Sequence, residues 1–495
     1  MRRRNRWPRW TSRIPNAAVW IALVSTCVAA ARAQKPAPPY AVADHWIEQE
    51  ADTLRAVNQR IWSHPELGLQ ERHAADQLVA LLEREGFAIE RGVAGMPTSF
   101  IATAGSGRPI IGILAEYDAL PGMSQAAAPE RRPRSDNPEL DAGHACGHSV
   151  FGTASTAAAV AAWKGMASAG LGGTIRLYGT PAEETGLGKV YMARAGLFDD
   201  LDAAFHWHAG DKTRVSYATC KAIVSVKFRF SGLSAHASLS PHAGRSALDA
   251  VELMDVGANY LREHLQDDAR IHYVITDGGG QPNVVPPTAE VWYYLRADAH
   301  RDVERMLERI REIAAGAALM TRTTVEEQID SDLFELLPNR ALSELLQRHL
   351  ERVGPPRFDD SERRFARRTQ KDLVDAPEAP LFEEVMPLPD DPWHIQASTD
   401  VGNVSWVVPT GGINVACYTN GAPGHSWQIV ACTGMSIGEK GMIVAARTLS
   451  GAILELLANP VQRQAAKRDF DVRRQGSSLP QTTLPKGQQV PAAIR

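Results

Sequence analysis

The spacing of apolar residues changes character along the chain, and each change marks a part. Residues 44–62 carry apolar side chains at helical spacing, and "QERHAADQLVALLEREGF" (70–87) repeats the pattern until Gly86 ends it. "RPIIGILAEYD" (108–118) is a continuous apolar run closing on charged residues, which predicts a strand buried on both faces. "FGTASTAAAVAAW" (151–163) predicts a helix of small residues suited to close packing. "GTIRLYGTPAEE" (173–184) and "LDAAFHWHAG" (201–210) predict two more strands ending in carboxylates or histidines. Strands alternating with helices predict an α/β layer, whose ligand site lies beyond the C-terminal strand ends. Glu116, Asp118, Glu183, Glu184 and His208 fall at such ends.

The period then shortens to two. In "IVSVKFRF" (223–230), Val224, Val226, Phe228 and Phe230 share one face, and Ser225, Lys227 and Arg229 the other. A helical stretch (246–265), strands at 270–276 and 289–297, a second helix and a strand at 323–329 follow. The second helix carries Val303, Met306, Leu307, Ile310, Ile313 and Ala317 near helical period. That βαββαβ order is ferredoxin-like. We therefore expect 221–330 to be a domain inserted into the α/β layer, dividing it into 44–220 and 331–458. In the second part, 354–397 is rich in proline and charge and predicts an extended insertion. Strands are expected in 399–419 and a closing helix in 441–458. Residues 34–43 read as a Pro/Ala linker, and 459–495, polar and aperiodic, as a disordered tail.

Composition narrows the function classes. The chain has 495 residues, 44% hydrophobic and 22% charged, with a net charge of -4. That is a folded soluble balance with a large core, and it gives no reason for a nucleic-acid partner. The N-terminus departs from it. "MRRRNRWPRWTSR" is basic, residues 17–30 are apolar, and "ARA" follows. This order predicts a signal peptide over 1–33, cleaved after Ala33, and export to the periplasm. The apolar run falls short of the ~20 residues that span a bilayer, so no membrane span is expected after cleavage. Cys146, Cys220, Cys417 and Cys432 then remain, too scattered for a disulfide framework. A pairing of Cys220 with Cys417 or Cys432 stays open.

A different use of side chains suits Cys146. In "DAGHACGHS" (141–149), Cys146 and His148 stand two apart and can enter one pocket from an extended turn. "AEE" supplies the adjacent carboxylates Glu183 and Glu184, "FHWHAG" supplies His206 and His208, and "APGHSW" supplies His425 after a glycine. Two cations ~3.5–4 Å apart can share a water and polarise a carbonyl, given ligands of mixed type and one free carboxylate as base. If Glu184 binds metal, Glu183 can be that base. Taken singly, each residue has a plainer reading: a buried thiol, a solvated Glu-Glu turn, a structural His-x-His. Their conjunction at the strand ends of one layer points to a metal centre.

These residues lie in motifs that resemble a family. "HPELGLQE", "AEYDALPG", "GHACGH", "TPAEETGLGK", "FHWHAG", "SAHAS", "GRSALDA", "PNVVPPTAEVWYYLRA", "STDVGNVSW" and "APGHSW" occur in order over ~44–457. Together they resemble the dinuclear metallohydrolases of the aminoacylase and glutamate-carboxypeptidase type. The nearest branch is that of p-aminobenzoyl-glutamate hydrolase B subunits and their dipeptidase-like relatives. The resemblance implies a zinc-peptidase-like α/β catalytic domain with an inserted ferredoxin-like lid and dimerisation domain. It implies a homodimer formed through that lid, and two divalent metal ions per chain, zinc or manganese, with cobalt also admitted. Cys146 is implied as the bridging thiolate, and His148, Glu184, His208 and His425 as the other ligands. Glu183 is implied as general base, and Asp118 as the carboxylate that orients a ligand histidine. His236 is implied as an oxyanion donor reaching a partner's site, and Asn283 and Arg296 as the grip on a substrate carboxylate. His144 and His206 fall at non-ligand positions, and Glu116 reads most simply as a strand-end carboxylate facing solvent.

The reaction implied is hydrolysis of a small-molecule amide, an N-acyl or N-aroyl amino acid such as p-aminobenzoyl-glutamate. A dipeptidase or carboxypeptidase of the same fold, and a non-catalytic subunit of a heteromeric hydrolase, are the competing readings. The chain departs from the family pattern at Ser149, where relatives carry Asp or Asn, and at Asn403, where Asp is expected.

Overall fold

A computed structural model describes residues 1, 8–9, 38–134, 141–474 and 481–491. Apart from Met1, Pro8 and Arg9, the expected signal peptide lies outside the described residues, as do 34–37 of the expected linker. Pro39–Arg495 forms one structural unit.

Its centre is a seven-stranded sheet. In chain order the strands are β1 (Ala88–Arg91), β2 (Phe100–Ser106), β3 (Ile110–Ala115), the short pair β4 (Leu120–Pro121) and β5 (Ala142–Gly143), which forms a separate two-stranded sheet, β6 (Gly173–Gly179), β7 (Ala203–Gly210) and β8 (Arg214–Val215). The last sheet strand is Thr410–Ala416, and the spatial order is β1-β2-β6-β3-β7-(410–416)-β8. The middle four strands are parallel, so their C-terminal ends open on one edge. Helices His148–Ser168 and Ser436–Ala458 pack together against this sheet. Helix His148–Ser168 is rich in Ala, Gly, Ser and Thr, and it is buried along nearly its whole length. Ser436–Ala458 is long and apolar enough to cross a membrane, yet most of it is enclosed, as befits a core helix.

Strand β9 (Ala218–Cys220) leads into the inserted domain. There β10 (Ala222–Ser231), β11 (Arg270–Asp277), β12 (Thr288–Ala297) and β13 (Thr324–Leu333) form an antiparallel sheet in the order β11-β12-β10-β13. Helices Ala247–Leu261 and His300–Thr321 cover one face, burying Val224, Val226, Phe228 and Phe230. The βαββαβ lid is therefore present, and its last strand runs three residues past the expected boundary, to Leu333.

Four local expectations need correction. The linker ends early, because Pro39 already opens helix Pro39–Gln49, whose Ala43 and Ile47 are buried. The expected 44–62 helix breaks at Glu50, and its second half is Ala51–Ser63. In 399–419, a short helix Val401–Ser405 precedes the strand. The insertion 354–397 includes helix Asp360–Thr369, started by an Asp359–Glu362 capping box.

The expected disordered tail is also ordered in large part. Helix Pro460–Arg473 starts on an Asn459 cap with proline in its first turn, and only Ala466 and Phe470 are buried. Two buried positions give almost no periodic signal, so the caps and partners carry this helix. Asn339 donates to the Ala466 carbonyl (2.8 Å), and Gln462 to that of Ala341 (2.9 Å). Beyond it, the Thr482 hydroxyl donates to Asp332 (2.9 Å), and Leu484 is buried.

Candidate metal centre and active site

The C-terminal sheet edge gathers the chemistry. β3 runs out into Glu116 and Asp118, β6 into a turn bearing Glu183 and Glu184, and β7 carries His206 and His208. Ala182 adopts φ 56°, a left-handed turn that brings the two glutamates inward, and its N–H donates to the buried Glu71 carboxylate (2.8 Å). His148 begins its helix directly after Gly147, at φ 81°; a Cβ there would sit 2.7 Å from that of Ala209. His425, also at positive φ (54°), enters from a loop and stays half exposed.

Two ligand groups share one atom. Cys146, His148 and His208 offer ligand atoms within 4.8 Å of one another, and so do Cys146, Glu184 and His425. Cys146 Sγ lies 3.3 Å from His208 Nε2, and His425 Nε2 lies 3.2 Å from Glu184 Oε2. A third group joins Glu116, His148 and Glu183. His148 Nδ1 meets Asp118 Oδ1 at 2.8 Å, which turns Nε2 toward Glu116 Oε2 (3.3 Å) and Glu183 Oε2 (4.0 Å). The other Asp118 oxygen accepts the Glu184 N–H (2.9 Å). One buried carboxylate thus orients two members of these groups.

A cation fits this donor set. His148 Nε2, Glu116 Oε2 and Glu184 Oε1 are buried without a hydrogen-bond partner, an arrangement that costs free energy unless something positive completes it. The electrostatics point the same way. Burial pushes the Cys146 thiol up, but the His208 charge and the neighbouring His148, His208 and His425 imidazoles outweigh it, holding its pKa well below the usual thiol range. Burial opposes a charged His148, yet the bond to Asp118 raises its pKa well above the usual value. His208 rises to about 9 against burial because of Cys146, and His425 to about 10 through bonds to Cys146 and Glu184. Burial, then Cys146, lifts Glu184 to about 7. A thiolate with imidazole nitrogens suits zinc, and the carboxylates admit manganese or cobalt.

His144 and His206 lie outside the three groups. Burial pushes them down to about 4 and about 3, so both are neutral. His144 sits between the Asp118 and Ile61 carbonyls (3.1 and 3.3 Å). The His206 ring occupies space that any side chain at position 412 would need, which explains Gly412 on the neighbouring strand.

Glu116 overturns its sequence reading. It is 1% exposed, and its Oε1 meets Lys189 Nζ at 2.8 Å. Lys189 is itself fully buried and also pairs with Asp400 (2.5 Å). Sequence reasoning missed Lys189, Thr399 and Asp400. The available signal was a lysine inside the otherwise apolar "GKVYM", a position that demands buried carboxylate partners. Thr399 Oγ1 donates to Glu183 Oε1 at 2.9 Å. Burial raises the Glu183 carboxyl well above the usual range, and Glu116, Asp400 and Glu184 push it the same way.

The groups open into a cavity of about 410 Å³ lined also by Arg296, Ser398 and Tyr418. A larger hollow of about 1010 Å³ near Gly354 and Glu383 contains none of these ligands, so chemistry rather than size identifies the site. Arg296 donates to Ser398 Oγ (2.9 Å), and among the described residues no carboxylate pairs with it. His236 and Asn283 are not brought into this cavity. They sit side by side on the lid, both exposed, joined through the His236–Val284 bridge and the Ala237 N–H to Asn283 carbonyl bond (2.9 Å). His236 Nδ1 accepts the Leu239 N–H (3.1 Å), so Nε2 carries the ring proton. Ser149 is buried with its hydroxyl unpartnered, and Asn403 bridges the Asp332 carbonyl (3.0 Å) and the Phe334 N–H (3.3 Å). All four described cysteines are free, so neither pairing left open for Cys220 is formed.

Residues 219–320 match a peptidase dimerisation domain. Over 442 residues the chain is 40% identical to the B subunit of p-aminobenzoyl-glutamate hydrolase from Escherichia coli (strain K12), covering 84% of this chain and 92% of that one. It is 27% identical over 447 residues to Xaa-Arg dipeptidase of Mus musculus, covering 88% and 92%. Its fold is similar to that of a dinuclear metal binding peptidase of the M20 family from Bacillus subtilis. There the TM-score is 0.55 at 18% identity, over 83% of this chain and 99% of that one.

Proposed function

This chain belongs to the M20 family of dinuclear-metal aminohydrolases, and from that premise we propose which bond it cuts and which residues cut it. It is a metal-dependent hydrolase. Its substrates are N-acyl or N-aroyl amino acids, of which p-aminobenzoyl-glutamate, named in the Escherichia coli relative, is the reference. The observation that carries the reading is Cys146 Sγ shared between two ligand groups, with Glu183 beside them.

Cys146, His148 and His208 would hold one cation, and Cys146, Glu184 and His425 the other. Bound there, two divalent ions supply Lewis acidity toward water and the scissile carbonyl. Glu183 takes the proton from the attacking water and returns it to the leaving amine. Its Oε1 is held by Thr399 and its Oε2 faces His148 Nε2 at 4.0 Å, which places the second oxygen for both steps. Arg296 receives the substrate carboxylate, as its fork of donors and the absence of an ion-pair partner among the described residues favour. His236 Nε2–H of a second copy donates to the developing oxyanion, with Asn283 beside it.

The lid supports that homodimer. Strand β11 is a sheet edge, and Val274 and Ile275 on it are exposed, as are Leu253, Val256 and Tyr260 on helix Ala247–Leu261. Unpaired edges with apolar neighbours are disfavoured in water and favour a partner. The metal is zinc or manganese, with cobalt as a third candidate. We place the mature chain in the periplasm on the order of residues in 1–33.

A dipeptidase is the second reading, supported by the Mus musculus relative. One screen separates the two: metal-loaded protein with N-acyl, N-aroyl and dipeptide conjugates, read by mass spectrometry. Cleavage of conjugates without a free amino group supports the first reading. Cleavage only of substrates with one supports the second. No cleavage by protein carrying two metals contradicts both.

A further inference from the structure

We infer that Ser398–Thr399–Asp400 is a positioning strip that orients the base Glu183 and ties the Arg296 subsite to it. The inference rests on the amidohydrolase reading above. Three consecutive residues each hold a different part of the site. Ser398 Oγ accepts from Arg296 Nη1 (2.9 Å), and Thr399 Oγ1 donates to Glu183 Oε1 (2.9 Å). The Asp400 carboxylate accepts from both the backbone N–H (2.9 Å) and Nζ (2.5 Å) of Lys189.

The geometry gives each bond a purpose. Thr399 occupies one carboxylate oxygen of Glu183, and the other, Oε2, faces His148 Nε2 at 4.0 Å. A base with one oxygen fixed presents the second in a defined direction, and small misplacements of reacting groups are costly. Thr399 also steadies its own loop, since the Val401 N–H donates to the same hydroxyl (3.3 Å). Asp400 is fully buried and anchors the strip through Lys189, whose other partner is Glu116 (2.8 Å). Arg296 belongs to strand β12 of the lid, whereas Glu183 belongs to the catalytic layer. The strip, returning after the lid in the chain, is the bridge between them.

The test compares Thr399→Val, which removes the hydroxyl at constant shape, with Thr399→Ser, which keeps it. Both are loaded with metal, and kcat and KM are measured on the conjugate the wild type cleaves best. We expect kcat to fall about 10²-fold in Thr399→Val with KM nearly unchanged, and Thr399→Ser to retain most of it. A wild-type kcat in Thr399→Val, or an equal loss in Thr399→Ser, overturns the inference. Ser398→Ala is expected to cost less in the Thr399→Val background than alone, and full additivity overturns the tie to Arg296. Crystal structures of the metal-loaded Thr399 variants read the same point without substrate. Glu183 displaced in Thr399→Val and held in Thr399→Ser supports the inference, and one Glu183 position in both overturns it. Wild-type protein that cleaves nothing defeats the amidohydrolase reading, and those structures still decide this one.

Discussion

The catalytic layer and the lid hold their chemistry in opposite ways. In the layer, His148 is buried and Cys146, Glu184 and His208 are partly buried, and a buried carboxylate, Asp118, aims two of them. On the lid, His236 and Asn283 lie exposed and outside the cavity. The cause is desolvation. A charge inside a protein is tolerable only with partners, and the three candidate cation groups find theirs within one chain. An exposed histidine costs nothing while it waits for another surface. Under the proposed function, the layer would hold the cations and the lid would complete the site of a second copy.

The most damaging change is expected in the layer. Glu183→Gln should abolish turnover, by about 10³-fold or more, while metal content stays near two per chain. Loss of both metals with turnover would instead make Glu183 a ligand and blur the division of labour with Glu184. Cys146→Ala is next: metal analysis should show less than the wild-type content, with activity falling alongside. Full occupancy in that variant would remove the shared thiolate from the account.

The smallest effect is expected in the lid, where a buried carboxylate has no catalytic task. Asp255 hydrogen-bonds the Tyr293 hydroxyl and is raised from 3.8 to about 6, chiefly by burial. The folded lid therefore binds that proton more tightly than the unfolded chain does. Its contribution to stability is present below about 4 and is lost as pH rises through about 6. Asp255→Asn should flatten this dependence, on the order of 1 kcal/mol in denaturant melts, and leave kcat unchanged. A large loss of turnover would mean that the lid is less independent of the chemistry than the comparison holds.

The same contrast governs what can be read from the amino acids alone. The candidate site residues of the layer sit in short motifs at strand ends, so Cys146–His148 and Glu183–Glu184 are visible as local patterns. Lys189 and Asp400 are not, because their pairing spans 211 residues and neither residue is unusual beside its neighbours in sequence except by polarity. Glu116 misleads for the same reason: with its lysine partner invisible, solvent looks like its natural environment. In the lid, alternation in 223–230 announces the sheet, since Val224, Val226, Phe228 and Phe230 are buried while Lys227 is only partly buried and Arg229 is exposed. Helix Pro460–Arg473 is hidden in the sequence because two buried residues and a cap leave almost no period to detect.

The division between the two regions is tested most directly by mixing two inactive proteins. His236→Ala alone should lower turnover about 10²-fold with both metals retained. Combined in equal amounts with Glu183→Gln under subunit exchange, it should recover activity. In a mixed pair, the chain with intact Glu183 receives His236 from the other, so random exchange predicts about a quarter of the wild-type activity. Recovery near that level supports a site completed across two copies. No recovery, with exchange demonstrated, would place the whole site within one chain and contradict the account.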